Sequence, residues 1–355
     1  MSVQDLQQAA QEFVDAGFGG LELRVHDEHG EQTVTAGIRE LGRTDPPPVG
    51  GQFRVGSVTK TFVSTVVLQL VAEDKLELDG PVAERLPRFA MDPRITVRML
   101  LDHTSGLFNY TGEYFPDGTV VAGLPATGKE WADNRLRGYT PDELVEFALA
   151  KPARFEPGAE WSYSNTNYSV AALVIEAVTG RTFAEELDSR IVKPLGLTGT
   201  IEPGDRTDIP GPHSHGYFRY QDGEKWKVVD VTEQNPSLLF AAGSMLSTTQ
   251  DLQVFMSALQ SGTLIPADLL AQMRTPEPKS GPLNYGLGLF KQEVGSQTLY
   301  HHNGSAPGGY GALMYSTPDG TKTLTAAITM ADAEVNLLEI FPPALDRLVK
   351  AVFAD

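Results

Sequence analysis

A serine and a lysine three residues apart, Ser57 and Lys60, open a long stretch (residues 61–72) that carries no charge. A serine hydroxyl becomes a competent nucleophile when a base takes its proton. A lysine whose pKa is lowered from ~10.4 by burial can be that base. Apolar residues follow at Phe62, Val66 and Leu70 and at Val63, Val67 and Val71. That i, i+4, i+8 spacing predicts a helix, and the missing charge predicts a buried one. Ser57 and Lys60 then share a face of its first turn. A lysine there opposes the helix dipole, and a local rule broken at a buried helix start is a mark of function. By itself S-x-x-K is a short pattern, and a serine before a helix also serves as an N-cap.

Two further groups carry chemistry. Tyr163-Ser164-Asn165 stands just before a predicted helix over 167–178. A tyrosine beside an ammonium has its phenolate favoured and can relay protons to and from a serine. An asparagine offers a donor and an acceptor, enough to hold a lysine and a substrate amide together. His302-Asn303-Gly304-Ser305 ends a predicted strand over 297–302. Gly304 allows close backbone approach, and the N–H of Ser305 can join that of Ser57 as an oxyanion hole. The plain alternatives are a structural tyrosine in a polar turn and a hydrogen-bonded turn histidine.

These groups must be positioned by the elements around them. The chain opens on a predicted helix (1–16), then strands at 21–25 and 32–38, a proline-rich loop, and the Ser57 helix. From residue 79 to about 227 strand-like alternation disappears and helices dominate. Thr140-Pro141-Asp142-Glu143 reads as a capping box with proline at the first helical position. Further helices are expected at 183–191 and 251–259. Strands return at 288–294, 297–302, 311–316 and 322–330, and a helix over 344–353 follows Pro342-Pro343. The economical architecture is α/β (α+β): one antiparallel sheet built from both chain ends and flanked by helices, residues 1–78 plus 245–355, with a mainly helical domain, 79–244, inserted. Residues 112–138 hold no periodicity and are expected to border the active site.

Composition removes several classes. The 355 residues carry a formal charge of −18 with a pI near 4.8, so nothing neutralises nucleic-acid phosphates. There is no cysteine, which excludes disulfides, thiolate catalysis and cysteine-ligated metals. No apolar run reaches membrane-spanning length, and the N-terminus has no basic apolar leader. The chain as written reads as cytoplasmic, or extracellular if a leader was removed. Residues 123–130 nearly match a phosphate-binding loop, but Glu130 replaces the required Ser or Thr. His213, His215, His301 and His302 have no zinc-motif spacing. No metal and no cofactor are expected, and the expected partner is a small-molecule or short-peptide substrate.

S-x-x-K, Y-x-N and H-x-G in this order resemble the penicillin-recognising serine hydrolases: class C β-lactamases, soluble D-alanyl-D-alanine carboxypeptidases and related esterases and amidases. The stretches Leu101-Asp102-His103-Thr104-Ser105-Gly106-Leu107, Ala242-Gly243-Ser244-Met245 and Tyr285-Gly286-Leu287-Gly288 extend the resemblance over about residues 53–330. The resemblance implies a β-lactamase-like fold. It implies Ser57 as acylated nucleophile, Lys60 as proton acceptor, Tyr163 as relay to the leaving group, Asn165 as ligand of Lys60 and the substrate amide, and His302 in the place of the family's third-motif lysine. Asn303 departs from the threonine common in that motif, the residue that often contacts a substrate carboxylate. The reading is a serine acyl-enzyme hydrolase resembling D-Ala-D-Ala carboxypeptidases. The alternatives are a biosynthetic transacylase, thioesterase-like cyclase or esterase using the same acyl-Ser57, and a non-catalytic relative.

Overall fold

The computed structural model describes residues 2–334 and 336–354. The first helix, α1 (Val3–Asp15), starts at a capping box closed by Ser2 and Asp5. It leads into the hairpin β1 (Phe18–Asp27) and β2 (Gly30–Gly37). Helix α2 (Thr59–Ala72) carries the S-x-x-K lysine. The middle of the chain supplies α3 (Pro141–Leu149), with the predicted Thr140–Glu143 capping box, and α4 (Asn165–Thr179), closed by Gly180 in the left-handed region. A hairpin follows, β3 (Tyr217–Asp222) and β4 (Lys225–Asp230), then helix α5 (Thr249–Gln260). Strands β5 (Phe290–Val294), β6 (Gln297–His301), β7 (Gly304–Ala306), β8 (Tyr310–Ser316) and β9 (Thr323–Met330) complete the chain with α6 (Leu337–Phe353).

The sheet joins both chain ends in the order β2-β1-β9-β8-β6-β5, with β7 also paired to β8, and every pairing is antiparallel. This is the antiparallel sheet built from both chain ends and flanked by helices that the sequence predicts. Neighbouring residues of β8 point to opposite faces, as strand geometry requires. Leu313 and Tyr315 pack with Leu6, Phe13, Leu348 and Phe353 of the terminal helices. Ala312 and Met314 belong to a second core with Phe62 of α2 and Phe255 of α5, whose rings stack at 3.6 Å. The sheet is therefore covered on both sides. Glu22 and Arg24, the polar side of β1's alternation, are buried, and both hydrogen-bond Thr249 at the start of α5.

Three expectations need correction. The segment 79–227 is not free of strands: residues 112–114 pair with 120–122, and β3 begins at Tyr217. Aromatic residues stand at Tyr217, Phe218 and Tyr220, on both sides of β3, so no alternation of apolar and polar residues shows. The last helix begins at Leu337 and runs through Pro342 and Pro343, which remove two amide donors without ending it. Ser57 lies in a separate 3₁₀ turn, Gly56–Val58, ahead of α2, and forms no N-cap.

Phe62 is fully buried against Phe255. Phe62→Ala is expected to destabilise the protein by about 3–5 kcal/mol. Urea unfolding of the two proteins measures it through the shift in midpoint at unchanged slope.

Candidate active site

Lys60 is wholly buried at the start of α2, surrounded by the core residues of that helix. Its Nζ has three partners: Ser57 Oγ at 3.1 Å, Asn165 Oδ1 at 2.8 Å and the carbonyl of Ala242 at 2.7 Å. None of the three bears a charge. Burial alone holds the lysine pKa well below its ordinary value. A neutral amine has two N–H groups and one lone pair. Asn165 Oδ1 and Ala242 O are acceptors and take both N–H groups. The lone pair is left for the one partner that can donate, the Ser57 hydroxyl. The contact geometry thus provides a serine with a base facing its proton.

Each partner is itself fixed. Asn165 is the first residue of α4, two residues earlier than the sequence suggests. Its N–H donates to Asn109 Oδ1 at 3.1 Å and its side-chain amide to Thr111 Oγ1 at 3.1 Å. Sequence reasoning misses these two orienting residues, although they directly follow the D-H-T-S-G-L stretch. Ala242, also missed, sits in the A-G-S-M stretch. Ala241 before it is left-handed with φ of 54°, and Ser244 Oγ accepts the Ala241 N–H at 3.0 Å while donating to Glu202 at 2.6 Å. That turn aims a carbonyl at an amine, a role that side-chain chemistry cannot reveal.

Tyr163 lines the same cavity as Ser57, and its ring lies 4.6 Å from Lys60 Nζ. Burial raises its pKa above the ordinary phenol value. The phenolate expected from a neighbouring ammonium is therefore disfavoured, since the same burial discharges the lysine. Tyr163 stands as a neutral hydroxyl that can pass a proton in either direction. His103, fully buried with φ of 65°, packs against the rings of Tyr163, Tyr168 and Tyr285 and accepts the Ser164 N–H at Nδ1.

His302 follows β6 and is buried, and its pKa is lowered to about 3 by burial and then by Lys60. It is neutral at physiological pH, so the charge of a third-motif lysine has no counterpart here. Its Nδ1 lies 2.7 Å from the Asn303 carbonyl, which only a protonated nitrogen can satisfy. Nε2 is then the acceptor and faces the Tyr285 hydroxyl at 3.4 Å. Asn303 gives its side-chain N–H to Tyr315 at 2.8 Å.

Ser305 lies on β7, whose backbone abuts the Ser57 turn. A Cβ on Gly304 would stand 2.0 Å from the Val55 carbonyl oxygen and 2.8 Å from the Ser57 nitrogen. One on Gly56, at φ of 52°, would stand 2.4 Å from the Ser305 oxygen. Glycine at both positions lets the backbone amides of Ser57 and Ser305 share one edge of the cavity. Ser57, Tyr163, His302 and Ser305 all line a cavity of about 880 Å³, and Asn165 is joined to it through Lys60. Its walls are largely apolar and aromatic, including Phe218, Trp226, Phe290 and Phe341. Residues 112–138 do not line it. Trp131 within them is buried and packs under Gly308 of the cavity wall.

Known proteins resemble this chain in sequence and in fold. A putative penicillin-binding protein, PbpX, of Bacillus subtilis (strain 168) is 30% identical over 260 residues, 72% of this chain and 56% of its own length. Penicillin-binding protein 4* of the same organism is 25% identical over 304 residues and is covered over 63% of its length, so the chain spans a little over half to under two thirds of these curated relatives. The solved structure of a D-stereospecific amidohydrolase from Streptomyces sp. superposes with a TM-score of 0.85 at 36% identity, covering 100% of this chain and 99% of that one. A D-amino acid amidase from Ochrobactrum anthropi SV3, complexed with D-phenylalanine, gives a TM-score of 0.84 at 25% identity, over 99% and 98% of the chains. The beta-lactamase family profile matches residues 6–340, so this chain belongs to the beta-lactamase family of penicillin-recognising serine hydrolases.

Proposed function

We propose that this chain is an acyl-enzyme serine hydrolase that cleaves an amide or ester bond at a D-configured residue bearing a bulky apolar group. The observation that carries this reading is the Lys60 amine, buried among uncharged partners, 3.1 Å from Ser57 Oγ. In the first step Lys60 Nζ takes the Ser57 proton as Oγ bonds to the substrate carbonyl carbon. The N–H groups of Ser57 and Ser305 receive the developing oxyanion. The proton on Lys60 passes through Tyr163 to the leaving nitrogen or oxygen as its bond to carbon breaks, which leaves an acyl-Ser57 ester and the free amine or alcohol. Water, deprotonated along the same route, then attacks the ester, and Ser57 regains its proton as the acid departs. Asn165 holds Lys60 and offers its amide to the substrate. His302, as a neutral Nε2 acceptor, takes a hydrogen bond from Tyr285 or from substrate.

D-configuration is supported by the D-stereospecific amidohydrolase and the D-amino acid amidase that share the fold, and the apolar group by the aromatic walls of the cavity. D-alanyl-D-alanine carboxypeptidase activity is the narrower form of this reading. Neutral His302 and Asn303 put no charge beside the scissile bond for a terminal carboxylate, which favours the broader amide hydrolase. Acyl transfer is the second reading. A cavity of about 880 Å³ has room for an amine or alcohol acceptor in place of water.

Cleavage of D- and L-phenylalanine amide, followed by product formation and by intact mass, tests the assignment. D is expected to exceed L by about 10²-fold or more in kcat/KM. An acyl adduct is expected on wild type and none on Ser57→Ala. Full activity of Ser57→Ala would overturn the nucleophile, and added hydroxylamine diverting product from acid to hydroxamate would place transfer beside hydrolysis.

The pH profile tests the base. Only neutral Lys60 accepts the proton, so kcat/KM is expected to fall about tenfold per pH unit below the depressed lysine pKa and to stay level above it. Lys60→Arg, charged at every accessible pH, is expected to lose about 10²–10⁴-fold without recovery up to pH 10. A flat acid limb in wild type would exclude Lys60 as the base.

A further inference from the structure

Among the described residues that line the cavity of Ser57, Arg219 is the only permanent cation and Glu334 the only carboxylate. They pair with each other, Arg219 Nη2 to Glu334 Oε2 at 2.8 Å, across two separate segments: strand β3 and the turn between β9 and α6. The two partners are built differently. The guanidinium lies over the Trp226 ring at 4.6 Å and its Nη1 reaches the Asp332 carbonyl at 3.5 Å. Its Nε–H is buried and has no acceptor among the described residues. The side chain is 22% exposed, whereas that of Glu334 is 72% exposed and has the solvent as its alternative partner. The arginine is a fixed fork with an unused donor, and the glutamate is a replaceable occupant.

The surroundings favour an anion from the substrate. The walls on either side are apolar, and a charge-assisted bidentate contact to a guanidinium is worth more than a neutral hydrogen bond. Near the scissile bond the third motif supplies no cation, since His302 is neutral. The place of Arg219 sets the reach. The β3 backbone touches the cavity wall at Tyr217, where a Cβ on Gly309 would stand 2.5 Å from the Tyr217 oxygen. Arg219 lies two residues further along the strand, about 7 Å. Ser57 lies against Gly304, whose neighbour Ser305 pairs with Gly311 of β8, two residues on from Gly309. A substrate residue spans about 3.5 Å. These backbone separations favour a group two or more residues from the scissile carbonyl.

Resting on the acyl-enzyme reading above, we propose that Arg219 is a specificity-determining residue that binds a carboxylate carried by the substrate two or more residues from the scissile bond, displacing Glu334. The substrates so selected are short peptides with a free carboxylate beyond an apolar D-residue, in preference to simple amino-acid amides. Such a substrate exchanges one ion pair for another at the cavity mouth.

The test compares D-Phe-Gly-Gly with its C-terminal amide, which differ only in the remote charge. In wild type the free acid is expected to show about tenfold lower KM than the amide. In Arg219→Gln the ratio of the two KM values is expected to collapse to near one. In Glu334→Gln it is expected to widen, because the internal competitor is gone. An unchanged ratio in both variants would overturn the proposal, as would a wild type that prefers the amide. The two peptides are also titrated calorimetrically into Ser57→Ala. If neither peptide is cleaved by wild type, the hydrolase reading fails while these binding ratios still decide the role of Arg219.

Discussion

Burying an amine without a counter-charge is the constraint on which the rest of this site depends. Lys60 has a hydroxyl, a side-chain amide oxygen and a main-chain carbonyl for company, and its ammonium form is penalised by the core around α2. A carboxylate partner would have restored the charge and removed the base. Tyr163 feels the same burial in the opposite sense and keeps its proton. One low-dielectric environment thus sets a proton acceptor and a proton donor on either side of Ser57.

The fold serves that environment by bringing three distant backbone turns to one point. The 3₁₀ turn before α2 carries Ser57, the left-handed turn at Ala241 presents a carbonyl, and β7 lies against Gly56. None is stable by local preference. Ser244 and Glu202 hold the turn of the carbonyl, Trp131 beneath Gly308 supports the wall that continues from β7, and Asn109 with Thr111 orients the asparagine that completes the lysine's shell. The sheet, made from both chain ends, is the rigid floor.

What could be read from sequence follows the same division. The buried helix after Ser57 was legible because an uncharged run with a four-residue period fits a helix enclosed by core and little else. The capping box at Thr140 and the sheet strands near the C-terminus announced themselves by turn and cap chemistry. The motif residues Ser57, Lys60, Tyr163, Asn165, His302 and Ser305 do gather at one site, with Asn165 reaching it through Lys60. Their ionisation was not legible, since it depends on burial by residues far away in the chain: the expected phenolate at Tyr163 is a neutral hydroxyl, and His302, in the place of the third-motif lysine, carries no charge. Ala242 contributes through its carbonyl, which every residue has, so its type says nothing. The β3–β4 hairpin escaped because apolar side chains occupy both of its sides.

The neutral bases have a thermodynamic consequence for the molecule as a whole. His103, His301, His302 and Lys60 all bind protons less readily in the folded chain than when exposed. Unfolding therefore takes up protons. Each such group adds up to about 1.4 kcal/mol of lost stability per pH unit where the unfolded chain is protonated and the folded one is not. For Lys60 that window opens just below its ordinary value of 10.5 and extends down to its depressed pKa, and for His301 and His302 it runs from 6.5 down to about 3. The cluster that performs the chemistry thus makes the fold less stable as pH falls through these windows.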